Sequence, residues 1–465
     1  MITRIELDGF KTFHNFVLDL GPFQVIVGVN GVGKSNLFDA LRLIARLTDV
    51  DLRTAFQDLR GDAGELFATF PDGTTTDTIT LAVELLIDRT IRDSWGAEAE
   101  LRYLRLRYEL TIQRREERRA DKPGIERLYV VHEALRTISR ENDRWIRTSI
   151  GDTLPLWLPS LKRGRPEPFI STATQGDTSM ISLHQDGHGG RKMSVAEKIE
   201  RTVLSGIANT EFPHALAARE ELRAWRLLQL NPQVLREPSP ILAQPYIASD
   251  GSSLPNAIAR MTAIDPYIIN DISRDLANLV PGVKRVAVEE DRLRDRYLLR
   301  AVMDDGRSFS SRVLSDGTLR LLTLVAFKND PEHHGVLCFE EPENGVHPFR
   351  LERMAELLSQ LTTDFADPDQ AALPLRQLLV NTHSPAFIKQ PSVLPHLLFA
   401  QSVTSVNPGP GGQVQRVTRI TPTESSTRPR LPGFETAHTV NQVAEYLESG
   451  DTEAAVVQLR QLVHE

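Results

Sequence analysis

One cysteine in 465 residues excludes an intrachain disulfide, and its place in the apolar run Val336-Leu337-Cys338-Phe339 predicts a small buried hydrophobe. No run of about 18 apolar residues is present. The opening Met1-Ile2-Thr3-Arg4-Ile5-Glu6 alternates like a strand and has no signal-peptide pattern. A cytosolic chain without a membrane partner is therefore expected. Aromatic residues make up only 6%, leaving few rings on which bases could stack, so sequence-specific readout of nucleic acid is not indicated. A basic excess is also missing: the net charge of -8 argues against coating nucleic acid over the whole surface, although a local basic patch remains compatible with it. No period of about 20 to 50 residues recurs, which excludes a solenoid.

What is present reads as about two or three domains. Phe23-Gln24-Val25-Ile26-Val27 is a short apolar strand, and Leu37, Ala40, Leu41, Ile44 and Leu47 then recur at helical spacing. Between residues 79 and 150 the period changes to two, with Leu104, Leu106, Tyr108, Leu110 and Ile112 alternating with Arg105, Arg107, Glu109, Thr111 and Gln113, which predicts an antiparallel meander with one wet face. The polar stretch from Pro155 to Lys192, holding Lys162-Arg163-Gly164-Arg165 and His188-Gly189-Gly190, reads as a long surface loop. His184 and His188 have metal-ligand spacing, but the glycines beside His188 favour a loop there. Residues 194–230 read as helical, with Ser194 as a possible cap. The expected division is 1–150 (P-loop and β subdomain), 151–282 (loop-rich and helical insertion), 283–400 (second part of an α/β head) and 401–465. The last segment would hold a strand pair around Pro408–Gly412 and two short helices after Thr439.

Three motifs carry chemistry. Gly28-Val29-Asn30-Gly31-Val32-Gly33-Lys34-Ser35 fits G-x-x-x-x-G-K-[ST] between a strand and a helix. Glycines there let backbone N–H groups turn inward on a phosphate chain, a lysine meets its charge and a hydroxyl meets Mg²⁺. The apolar run ending in Glu340-Glu341 predicts a buried parallel strand whose end emerges where ligands bind, with Glu340 on Mg²⁺ and Glu341 on the attacking water. A helical stretch and the strand Leu378-Leu379-Val380 follow, so the βαβ unit sets His383 at the same sheet edge as Glu341. The third motif, Leu314-Ser315-Asp316-Gly317-Thr318, is a capped helix start suited to a phosphate.

The order P-loop, long insertion, L-S-D-G-T, E-E-P-E-N-G-x-H-P and N-T-H-S-P resembles the ABC-type ATPase heads of the RecF, SMC and OLD families, especially the short stand-alone ATPases of prokaryotic defence modules such as Septu and retron systems. Gly9-Phe10-Lys11-Thr12-Phe13 is similar to their N-F-K-S-F opening, and Asn30 and Asn36 match their G-x-N-G-x-G-K-S-N loop. The resemblance implies an α/β P-loop NTPase, a two-lobed ABC-type head with an antiparallel β subdomain and a helical insertion. It further implies a head-to-tail homodimer or higher oligomer that sandwiches ATP and Mg²⁺. Asn30, Gly31, Gly33, Lys34, Ser35 and Asn36 would then hold nucleotide, and Ser35 and Glu340 the metal. Glu341 would be the general base and His383 the switch histidine, while Ser315 and Gly317 would reach the partner's γ-phosphate. Asn344 and His347 would lie where relatives cross the dimer interface. The chain departs from the pattern in reading S-D-G-T for the commoner S-G-G-Q and in beginning Walker B with glutamate. Gln113 and Gln175 are the candidates for the Q-loop glutamine.

The 82 residues after His383 contain no D-x-D, which argues against the TOPRIM nuclease of OLD proteins. Residues 102–147 carry thirteen Lys or Arg against eight Asp or Glu, and Arg102, Arg105, Arg107, Arg114 and Arg115 offer a face for a DNA backbone, the alternative being a solvated sheet face. Two function classes follow. One is an ATPase acting on or sensing DNA in anti-phage defence or repair, with an effector nuclease or toxin encoded nearby. The other is a nucleotide-controlled scaffold that holds such a partner inactive.

Overall fold

The structure, a computed structural model, describes residues 1–117, 125–149, 154–158, 165, 167–175, 178–185, 191–195, 199–406, 414–426 and 438–448. Its centre is a six-stranded sheet in the spatial order Arg226–Leu228, Gly335–Glu340, Arg376–Thr382, Phe23–Val27, Leu397–Val406, Val414–Pro422. The first five strands run parallel and the last pairs antiparallel with its neighbour. Burial on both faces explains the unbroken apolar runs. Ile26, Val336 and Cys338 join the core beneath the helix Lys34–Arg46, while Val25, Val27, Leu337 and Phe339 join a second core under the helices Asp316–Asn329 and Leu351–Ser359.

The expected meander is an eight-stranded antiparallel sheet in the order Arg191–Val195, Thr178–His184, Ile170–Gln175, Ile125–Thr137, Arg105–Glu117, Thr78–Leu86, Ile2–Asp8, Phe16–Asp19. It extends into the stretch read as a loop. Phe169, Ile170, Ile181 and Leu183 are buried there, but Ser and Thr fill most of the remaining strand positions, so the apolar alternation is too short to stand out. Lys162, Arg163, Gly164 and His188 lie outside the described residues, and His184 sits on a strand with Nε2 2.8 Å from Ser171 Oγ.

Among the described residues, the α-helix expected over 194–230 is confined to Pro213–Arg223. Ser194 belongs to a strand, and Arg226–Leu228 is drawn into the central sheet by parallel pairing with Leu337–Phe339. Helices Leu254–Ile264 and Ile268–Leu279 precede a small antiparallel sheet that includes Val283–Asp291 and Arg296–Met303. In the tail, the helix Val440–Glu448 is present; the turn at Pro408–Gly412 and the second expected helix lie outside the described residues. Among the described residues no helix is long and apolar enough to cross a membrane.

The arginine face of the meander needs correction. Arg105 is only 5% exposed: its Nε donates to Asp143 Oδ2 at 2.6 Å, its Nη1 to Thr3 Oγ1 at 2.8 Å, and its guanidinium lies over the Trp145 ring. Arg107 donates to Glu6 at 2.6 Å, Glu109 at 2.7 Å and Glu84 at 3.3 Å, and Glu6 and Glu109 push its pKa up. Neither guanidinium is available to a phosphate backbone, because each already has carboxylate partners in a partly desolvated site. Arg114 donates to Thr75 Oγ1 and lies over Phe67, and Arg115 donates to Gln113 Oε1; Arg102 is exposed. Replacing Asp143 by Ala should destabilise the fold by about 3 kcal/mol, the cost of stranding a buried guanidinium. A denaturation midpoint equal to wild type would show that Arg105 is solvated.

Candidate functional site

Strand Phe23–Val27 is flanked on both sides in the central sheet, so the loop that follows it emerges between neighbouring strands at their carboxyl ends. Helix Lys34–Arg46 starts at Gly33, whose φ of 97° only glycine adopts without strain, and its first residues Lys34, Ser35 and Asn36 line the cleft. Lys34 is 7% exposed and its ammonium donates to Gly28 O at 2.5 Å and Val29 O at 2.8 Å. Burial pushes its pKa down to about 8 against the opposing pull of Glu341, Glu340 and Glu343.

The cleft, about 650 Å³, is lined by Asn30, Gly31, Gly33, Lys34, Ser35 and Asn36 on the P-loop side and by Glu340, Glu341, Asn344 and Asn381 opposite. Register accounts for the second wall: Glu340 pairs with Asn381 in parallel strands, which sets Glu341 beside the segment Thr382-His383. Glu341 has φ +47°, a conformation that costs a non-glycine residue free energy. Its N–H donates to Asn381 O at 2.9 Å, Asn344 Nδ2 donates to its Oε2 at 2.7 Å, and His383 Nδ1 lies 2.7 Å from its Oε1. Because a carboxylate only accepts, His383 carries a proton on Nδ1. Glu343, which the sequence reading left unassigned, accepts from Thr382 Oγ1, and burial raises its pKa.

Asn381 Nδ2 donates to Glu340 Oε1 at 3.2 Å, and Arg60 Nη2 lies 3.7 Å from the same oxygen while donating to Ser35 O at 3.4 Å. Ser35 and Glu340 thus face one cleft with hard oxygen donors, a set that fits Mg²⁺ bound together with phosphates. Arg60 is a further residue that the sequence reading missed.

The expectation for the Q-loop glutamine changes. Gln113 and Gln175 belong to strands of the antiparallel sheet and Gln113 does not line the cleft; Gln229, directly after the strand Arg226–Leu228, does. Its signal in the sequence is Leu227-Leu228-Gln229 closed by Pro232, an apolar run short enough for a strand. Ser315 and Gly317 do not line the chain's own cleft, as a role toward a partner's nucleotide requires. Ser315 is exposed and caps helix Asp316–Asn329 by accepting from Thr318 N at 3.2 Å. A Cβ at Gly317 would stand 2.5 Å from Gly345 O, so the signature helix packs against the turn that carries Asn344. Beyond that turn, His347 stacks on Phe349, which is 91% exposed.

The depressed Lys34 pKa fixes two opposite pH slopes. Phosphate binds the ammonium, so nucleotide affinity should fall about tenfold from about pH 7 to about pH 9 as the ammonium deprotonates. The unfolded lysine titrates near 10.5, so between about 8 and that value the unfolded chain binds more protons and this group makes the protein without nucleotide more stable as pH rises. A flat affinity profile by titration calorimetry would show that Lys34 stays charged throughout.

Comparison with known proteins agrees with this geometry. The family described as "AAA domain, putative AbiEii toxin, Type IV TA system" matches residues 23–155 and 196–389. No curated protein matches the chain. Similar solved structures include the SmcHead bound to the C-winged helix domain of ScpA, at 14% identity over 90% of this chain and 98% of that one with a TM-score of 0.45. The SMC head domain from Thermotoga maritima is 12% identical over 91% and 99%, with a TM-score of 0.37. The Smc head domain with a coiled coil and joint from Pyrococcus yayanosii is 11% identical over 96% and 99%, with a TM-score of 0.43. Because the family match takes in the P-loop strand from the first part of the chain and the glutamate and histidine strands from the second, the chain belongs to that AAA family.

Proposed function

We propose that the protein binds ATP with Mg²⁺ in the Lys34 cleft and hydrolyses it, as one half of a head-to-tail homodimer. The observation that carries this reading is the Glu341 carboxylate, held between Asn344 and His383 on the wall facing Lys34. Lys34 exchanges the carbonyls of Gly28 and Val29 for the β- and γ-phosphates, and the P-loop N–H groups take the remaining phosphate oxygens. Ser35 and Glu340 hold Mg²⁺, which when bound neutralises charge on the phosphates. Glu341 accepts the proton of the attacking water; Asn344 and His383 keep its carboxylate turned into the cleft, and Gln229 orients the water from the neighbouring strand end. Ser315 and Gly317, off their own cleft, serve the nucleotide of a second protomer, with Asn344 and His347 near the interface.

For the biological role, the first reading is action on or sensing of DNA in anti-phage defence or repair, through a separately encoded nuclease or toxin. Arg102, Arg114 and Arg115 are the residues left for the DNA contact. The second reading, a nucleotide-controlled scaffold that holds a partner inactive, is favoured by the neutralisation of Arg105 and Arg107. Stimulation of turnover by DNA in the isolated protein would select the first reading, and a partner that dissociates on ATP addition without DNA the second.

Lys34→Ala should abolish ATP binding, whereas Glu341→Gln should keep binding and lower kcat by about a hundredfold or more, because an amide cannot accept the water's proton. Turnover of Glu341→Gln within about tenfold of wild type would remove Glu341 as the base. Ser315→Arg and Lys34→Ala, each inactive alone, should recover up to about half the activity per heterodimer when mixed, since one complete site is rebuilt. Full activity of Ser315→Arg alone would rule out a site shared between protomers.

A further inference from the structure

The central sheet ends in the antiparallel pair Leu397–Val406 and Val414–Pro422, and its last strand passes behind the P-loop. Thr418, on that strand, is 2% exposed. Its backbone N–H donates to Thr12 O at 2.9 Å, and its Oγ1 donates to Val32 O at 2.8 Å and lies 2.7 Å from Thr12 Oγ1. Thr12 Oγ1 in turn accepts from Asn36 Nδ2 at 3.0 Å.

Counting protons fixes the direction of this chain. A hydroxyl has one proton. That of Thr418 goes to the Val32 carbonyl, which can only accept, so the bond between the two hydroxyls must be donated by Thr12. Its lone pair then takes the Asn36 amide. The bonds therefore run one way, from Asn36 through Thr12 and Thr418 to Val32, and each polarises the next.

The last link acts on the cleft. In a planar trans peptide the carbonyl of Val32 and the N–H of Gly33 point in opposite directions. Holding the carbonyl against Thr418 turns the Gly33 N–H away from it, to the side where Gly31, Gly33 and Lys34 line the cleft. The absence of a side chain at Gly33 makes the approach feasible: a Cβ there would lie 2.1 Å from Thr418 Oγ1 and 2.8 Å from Thr12 Oγ1.

We propose that Thr418 is a positioning residue for phosphate binding. Through the one-way chain with Thr12 and Asn36, the C-terminal strand holds the P-loop amides in the direction an anion requires. This rests on the cleft being an ATP site. Neither hydroxyl lines the cleft, so their contribution passes entirely through the peptide between Val32 and Gly33.

The test compares MgATP affinity, KM, kcat and thermal unfolding in Thr418→Val, Thr418→Ser, Thr12→Val and the double variant Thr12→Val/Thr418→Val. Thr418→Val keeps the shape and loses the hydroxyl; its Kd and KM should rise about tenfold with kcat within about twofold. Thr418→Ser should restore both, and the double variant should be no worse than Thr418→Val because the chain is already broken. A wild-type KM in Thr418→Val, a serine variant that does not rescue, or additive losses in the double variant would overturn the proposal. Should Thr418→Val fail to fold, Thr12→Val decides: a KM raised about threefold supports the chain, and a wild-type KM refutes it. If the unsubstituted protein does not bind MgATP, the ATP-site reading falls and this proposal with it; binding by wild type with unchanged variants refutes this proposal alone.

Discussion

Backbone N–H groups can converge on one anion only where the carbonyls between them are turned the opposite way and kept there. That requirement organises the molecule around residues 28–35. The strand Phe23–Val27 has Arg376–Thr382 on one side and Leu397–Val406 on the other. One flank therefore brings Asn381 and His383 to the open face of the loop, and the other continues into the strand whose Thr418 fastens its back. The opening turn joins the same support. Lys11 donates to Asp39 on the P-loop helix at 2.7 Å, and Arg60 reaches that carboxylate at 3.1 Å, which ties residues far apart in the chain to one helix.

The charges of the cleft have a consistent logic. Glu340, Glu341 and Glu343 face the buried Lys34 ammonium, with Arg60 beside Glu340 and Arg320 also lining the cleft. Burial lowers the Lys34 pKa and raises that of Glu343, in both cases disfavouring the charged form. A divalent cation and a phosphate chain would offset these costs together, the cation against the glutamates and the phosphates against Lys34. Glu341 is held in a strained backbone conformation and aimed by Asn344 and His383, as expected of a group whose direction matters more than its stability.

The antiparallel sheet shows how a charge count can mislead. Its arginines pair across strands with Glu6 and Glu84 and along the strand with Glu109, and the segment carrying Asp143 and Trp145 folds over Arg105. The local excess of positive charge is real in composition, yet much of it is spent on holding strands in register and fastening a cover segment.

The amino-acid order alone specified the P-loop, the glutamate pair and His383, because each is a local motif at the end of an apolar run and a parallel βαβ unit has few ways to place it. It also specified the meander wherever large apolar residues alternate, from Leu104 to Ile112. Other features were decided by pairing across long sequence separations. Arg226–Leu228 is too short to declare itself a strand and becomes one against Leu337–Phe339, which is what delivers Gln229 to the cleft. The strands Ile170–Gln175 and Thr178–His184 are rich in serine and threonine, so their hydrogen-bonded neighbours and not their own hydropathy made them strands. Arg105 became buried because Asp143 lies opposite it, 38 positions later in the chain. Thr418 is separated by 386 positions from the carbonyl it holds. A hydroxyl has no pattern in sequence until the fold supplies its partner.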